Sequence, residues 1–231
     1  SGLQMVGNSL TLTADAADTN GTITTVEFYD GTTLIGEDTT SPYSYDWAVP
    51  GGAHRLTAKA IDDDGGDTTS SLIGIVVWNN QDIGSPLGAG SASYSNGVFT
   101  VNGGGTGFLT TADKFHYVYQ QVTGDCTLIV KKLTDNGSGS LPAVQGGPVI
   151  RESLATGSKE MGITHRKNNY LRFTTHRRST TDGAISSPYV AAGSLPQWMK
   201  VVRSGNTLMT YYSSNGTDWT QHQSYSITMS S

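Results

Sequence analysis

One cysteine, Cys126, is present in 231 residues. A lone thiol forms no intramolecular disulfide and cannot build a Cys-based zinc site, so it reads as a small packing residue at the start of a strand. No run of about 18 apolar residues occurs, which leaves no segment that reads as a membrane-spanning helix. The stretch after Ser1 also lacks the basic and apolar regions of an export signal. Charged residues make up only 14% of the chain, too few for charge-driven disorder. Sustained 3.6-residue periodicity is missing as well, and only Glu152–Lys159 offers a short helical turn. What is abundant is glycine, 29 residues, together with threonine and serine. Glycine serves turns with positive φ and β-branched threonine suits strands, so the composition points to an all-β protein.

Turn signals recur along the chain. Asn-Gly pairs stand at 20–21, 96–97, 136–137 and 215–216, and Asp-Gly pairs at 30–31, 64–65 and 182–183. Both tolerate the backbone of tight hairpins. Between them lie short alternating runs at 10–14, 26–29, 55–60, 99–101, 127–130, 198–202 and 207–212. Period-two runs at this spacing predict β-sandwiches. Leu72–Val77 reads as the last strand of a first unit, and the pattern restarts at Trp78, so a boundary is expected near residue 77. Charge changes there too. Residues 1–77 hold Arg55 and Lys59 against eleven acidic side chains, whereas residues 78–231 hold twelve basic against eight acidic. The step suggests two modules with different ligands. The second half's small positive excess is far from a nucleic-acid footprint.

Residues 1–77 carry Leu10-Thr-Leu-Thr-Ala-Asp-Ala16, Gly21-Thr-Ile-Thr-Thr-Val-Glu-Phe-Tyr-Asp-Gly31, Ser41-Pro-Tyr-Ser-Tyr-Asp-Trp47 and Leu56-Thr-Ala-Lys-Ala-Ile-Asp62. This module resembles the bacterial immunoglobulin-like domains of secreted multimodular proteins, with a leading strand expected to be mostly missing. Residues 78–231 carry Trp78 with Asp82-Ile-Gly84, Thr111-Ala-Asp-Lys-Phe-His-Tyr-Val-Tyr-Gln120, Gly147-Pro-Val-Ile-Arg-Glu-Ser-Leu154 and Val202-Arg-Ser-Gly-Asn-Thr207. They resemble a concanavalin-like lectin/glucanase sandwich of carbohydrate-active proteins, usually continued by another apolar strand beyond the position of Ser231. The resemblances imply an N-terminal immunoglobulin-like sandwich followed by a larger concanavalin-like, jelly-roll β-sandwich. They further imply a secreted or cell-surface bacterial location, polysaccharide as partner, and a catalytic module in the same parent chain.

Phe28, Tyr45, Trp47 and Leu56 are spaced to face the core of the first sandwich. The turn Ser213-Ser-Asn-Gly-Thr-Asp-Trp219 resembles an Asp-box hairpin, with Trp219 packed structurally rather than offered to a ligand.

A glycosidase needs two carboxyl groups about 5–9.5 Å apart across the scissile bond. The acids of the second module (Asp82, Asp113, Asp125, Asp135, Glu152, Glu160, Asp182, Asp218) include no pair spaced i, i+2 or i+4 on a strand. No nucleophile elbow, metalloprotease motif or phosphate loop occurs. A non-enzymatic binding region is therefore expected; the alternatives are a structural or adhesive spacer of a surface protein, and a glycan hydrolase or lyase whose site has no sequence signature.

For the ligand, strand parity is informative. If Ile150, Leu171 and Phe173 point into a core, Arg151, Tyr170, Arg172 and His176 share the opposite face, joined by Arg166 and, from a neighbouring strand, His116. Guanidinium groups bind carboxylates or sulfates bidentately and rings stack on sugars, so an anionic glycan on that open face is expected. No cofactor is implied. Asp15, Asp18, Asp62 and Asp64 supply oxygen ligands of the kind calcium prefers, against the simpler reading of solvated turns whose side chains bond their own backbone.

Overall fold

The computed structural model describes residues 2–5, 9–108, 111–135, 144–167 and 171–230. Among these residues every regular element is a strand. In chain order they are β1 (Gly2–Met5), β2 (Ser9–Ala14), β3 (Ile23–Asp30), β4 (Thr33–Asp38), β5 (Tyr43–Ala48), β6 (Gly52–Asp62), β7 (Asp67–Thr69), β8 (Ile73–Ile83), β9 (Ser91–Ser95) and β10 (Val98–Asn102). Next come β11 (Phe115–Tyr119), β12 (Cys126–Lys132), β13 (Val144–Gly146), β14 (Val149–Arg151) and β15 (Glu160–Lys167). The chain closes with β16 (Leu171–Arg178), β17 (Tyr189–Ala191), β18 (Gln197–Ser204), β19 (Thr207–Ser213) and β20 (Thr220–Ser226).

By contact the chain forms two compact units, Ser1–Gln81 with Ser91–Asn102 and Tyr117–Gln121, and Asp82–Gly90 with Gly103–His116 and Val122–Ser231. Residue 77 lies inside the continuous strand β8.

In the first unit the sheet β1-β8-β6-β3-β4 packs on the antiparallel two-stranded sheet β2-β5. Alternation explains the layering: β5 buries Tyr43 and Trp47 and leaves Ser44 and Asp46 to solvent. Trp47, Val49, Leu56, Ile75 and Val77 form one core cluster, and Val26, Phe28 and Tyr43 another, with half-buried Tyr45 against both. This is an immunoglobulin-like sandwich. The leading strand expected to be mostly missing is present, since β1 pairs parallel with β8.

In the second unit the sheet β12-β18-β19-β20 packs against β13-β15-β16-β17, with β14 on β15. Met161, Ile163, Phe173, Met199 and Leu208 fill the space between them. Within that core Thr175 Oγ1 meets Thr210 Oγ1 and His222 Nδ1, each at 2.8 Å, so the buried hydroxyls are partnered. The helical turn expected at Glu152–Lys159 is not formed. The segment is bends and turns, because Ser158 Oγ accepts from the Ser153 amide at 2.9 Å and Arg151 holds the Ala155 carbonyl at 2.7 Å. Side chains here satisfy the backbone in place of helical bonds.

Candidate functional site

The face of β15 and β16 turned away from the core is organised in rows by strand register. Gln145, Arg166, Arg172 and Ala191 stand side by side, then Thr164, Thr174 and Tyr189, then Gly162 and His176, then Arg151, Glu160 and Arg178. Parity thus puts Arg151, Arg166, Arg172 and His176 on one face, as the sequence indicated. Tyr170 lies outside the described residues.

That face is not open along its whole length. Phe108 stacks on the His176 ring at a centroid distance of 4.1 Å, and the Arg151 guanidinium lies 5.2 Å from the Phe115 ring. Beneath this cover four ionisable side chains are sealed together. Arg178 donates from Nη1 and Nη2 to the two oxygens of Asp113, at 2.7 and 2.8 Å, and from Nη1 to Glu160 Oε1 at 3.3 Å. Arg151 Nη1 donates to Asp113 Oδ2 at 2.7 Å and also contacts Glu160. Asp113, Glu160 and Arg178 are 0% exposed. Burial alone would raise Asp113, but hydrogen bonds from Arg178 and Arg151 outweigh it and hold the carboxyl below its usual range. Burial pushes Glu160 up to about 8 against the pull of Arg151, and the Asp113 charge adds to the rise.

Three expectations are corrected here. Arg151 is locked in the ion cluster with a side chain 1% exposed. His176 is buried, bonded to Thr164 Oγ1 and Ser187 Oγ at 3.1 and 3.2 Å. Burial, with the Arg166 charge adding to it, lowers its pKa to about 4. His116 is likewise covered, its side chain 3% exposed and its Nδ1 2.9 Å from Asp82. Alternation on one strand fixes which side a residue takes, not what a distant segment lays over it.

The other half of the face remains accessible. Arg166 and Arg172 sit directly opposite each other on paired strands, and both are half-buried. Both Nε atoms are buried and, like the Oγ1 of Thr174, which is 3% exposed, have no hydrogen-bond partner among the described residues. Like charges placed opposite each other across a ladder repel, so this pair calls for an anion. Tyr189 is 62% exposed, with the Arg172 guanidinium 4.4 Å from its ring on one side. The sequence analysis missed Tyr189 because Ser187-Pro188 broke the alternating pattern; an aromatic residue in a short segment of Gly, Ala and Ser was the available signal. Gln145 escaped notice for a different reason, β13 being only three residues long.

Other sequence candidates are placed plainly. Lys200 Nζ lies 4.5 Å from the Tyr211 ring and 4.3 Å from the Trp219 ring, so each ring has a cation against one side. The ring against the 213–219 turn is that of Trp198, packed on Gly216. In the acidic loops, Asp62 Oδ1 accepts from the amides of Asp64 and Gly66, and Asp18 Oδ1 accepts from that of Asn20. Among the described residues no three His, Cys, Asp or Glu side chains are grouped to hold a metal ion.

A family model matches part of the first unit. Residues 1–58 match the family described as Bacterial Ig domain. A solved structure of Clostridium thermocellum CbhA fibronectin(III)-like modules is similar at 32% identity, over 32% of this chain and 82% of that one, with a TM-score of 0.31. No curated protein matches the chain.

Proposed function

We propose that this chain is a non-catalytic accessory region that holds an anionic polysaccharide on the accessible half of the β13-β15-β16-β17 sheet. The observation that carries the proposal is the opposed Arg166 and Arg172 pair beside the exposed ring of Tyr189. Two guanidinium groups offer paired donors to a carboxylate or sulfate, and the free face of Tyr189 offers a stacking surface to a sugar ring. Fixed strands position all three, which keeps the ordering cost of binding low. The immunoglobulin-like unit serves as a spacer, and the larger unit as a concanavalin-like module of a secreted, glycan-degrading protein.

Absence of catalysis rests on the carboxyl groups. Tertiary structure does bring Asp113 and Glu160 together and pushes their proton affinities apart, as an acid–base pair requires. Both are sealed at 0% exposure, with two arginines filling the space a substrate would need.

Affinity electrophoresis and calorimetry against acidic and neutral polysaccharides test the proposal. Retardation is expected in the acidic gels, weakening with salt. Arg172→Ala is expected to weaken it about 10-fold or more, the worth of a hydrogen bond to a charged group. If no polysaccharide retards the chain, it is a spacer; if the same panel releases products, the chain is an enzyme.

A further inference from the structure

The described residues hold three lysine–carboxylate pairs, and one differs from the others in its surroundings. Lys59 with Asp67 and Lys159 with Glu152 lie at 3.6 and 3.0 Å with side chains 18–50% exposed, as solvated ion pairs do. Lys132, the last residue of β12, touches Asp135 Oδ1 with the two side chains only 13% and 3% exposed. The same ammonium donates to the His165 carbonyl at 3.0 Å, which pins Nζ beside the carboxyl group. The second carboxyl oxygen, Oδ2, has His165 Nδ1 at 3.5 Å, on a ring that is fully buried. Leu133, Leu171 and Leu195 line the space around Asp135 and His165.

Two opposite charges taken out of water are held at a cost that their attraction offsets only with good geometry and further hydrogen bonds. Burial pushes the Lys132 ammonium below its usual range, against the pull of Asp135. Transfer of a proton from Nζ to the carboxylate removes both charges at once. It leaves an amine against a carboxylic acid, the two partners of an amide bond. Contact within a fold also replaces a chance encounter in solution, and effective concentrations of well-oriented groups reach on the order of 10⁵ M or more.

We infer that Lys132 and Asp135 become joined in the folded chain by a side-chain amide between Nζ and Cγ. The step balances without an oxidant or an activating group. Nζ–Cγ forms, Cγ–Oδ2 breaks, and two of the three ammonium protons depart on that oxygen as water. Oδ2 is the oxygen that faces His165 Nδ1, so the imidazole can relay a proton to it as it leaves. A cleft of about 340 Å³ beside Asp135 gives the water a way out. The remaining amide N–H can keep the hydrogen bond to the His165 carbonyl. The neutral product suits a leucine-lined site better than two ions, and it ties the end of β12 to the segment that follows through a bond that salt does not dissociate.

Intact-mass spectrometry on the purified full chain, followed by digestion and fragmentation of the peptide that contains residues 132–135, provides the test. The expected mass is one water below that of the sequence. Trypsin should not cleave after Lys132, and fragment ions should be missing between Lys132 and Asp135. Lys132→Arg and Asp135→Ala should each restore the full mass, a readout that does not depend on how stable the variant is. A cyclic imide at an Asp-Gly pair also loses one water, but mild alkali reverses it, whereas the side-chain amide persists. Arg172→Ala should leave the mass deficit unchanged, so this inference and the acidic-glycan proposal are read separately. The full sequence mass in the folded chain overturns the inference. So does a water loss that maps outside residues 132–135 or survives both substitutions.

Discussion

Replacing Asp113 by asparagine tests the buried cluster with the least change of shape. Its two oxygens accept three hydrogen bonds at 2.7–2.8 Å, two from Arg178 and one from Arg151. Asparagine has nearly the same volume, so no cavity forms and the whole effect is electrostatic. It leaves two buried guanidinium groups facing Glu160 alone, and turns an amide N–H toward donors. Breaking a buried ion pair by removing one partner costs about 3–5 kcal/mol. For a protein of this size each kcal/mol moves Tm by about 2–4 °C, so the expected drop is about 6–20 °C. Calorimetric melting and urea titration at neutral pH measure it. Retention of acidic-glycan binding well below the transition would separate a stability effect from a ligand effect, because Arg166 and Arg172 stand at the other end of the face. A loss under about 1 kcal/mol would show that the four charges are not mutually compensating, and the account of the buried half would fail.

Three further outcomes are expected. Glu160 titrates near 8 in the folded chain against 4.5 unfolded; its contribution to stability is full below pH 4.5 and is lost as the pH rises through 8. His176, near 4 against 6.5, acts in the opposite sense, its contribution lost as the pH falls through 4. The two oppose each other between 4.5 and 6.5 and leave a net fall in Tm from pH 6.5 to 8, which Glu160→Gln should abolish; a flat wild-type profile over that window refutes the assignment. Gly216→Ala should cost more than about 1 kcal/mol in urea titration, since φ is 81° and an added Cβ would lie 2.7 Å from Trp198. Addition of calcium should leave the melting of the first unit unchanged, because Asp18 and Asp62 already bond their own loops; a rise in Tm would return a cation to Asp15, Asp18, Asp62 and Asp64.

Local pattern settled much of the architecture. Alternation and Asn-Gly or Asp-Gly turns marked β2, β3, β6, β10, β12, β18 and β19, and the same parity put Arg151, Arg166, Arg172 and His176 on one face of a sheet. Such features depend on neighbours two to four residues apart, which a sequence records directly. What lay over that face depended on contacts far apart in the chain. Asp113 reaches Arg178 across 65 residues and Arg151 across 38, and Phe108 covers His176. A charge on a strand looks solvent-facing until its partner's position is known, and mutually paired charges can be buried where any one alone could not. Tertiary packing therefore decided that Arg151 and His176 are internal, while Arg166 and Arg172 stay half-buried and Tyr189 exposed.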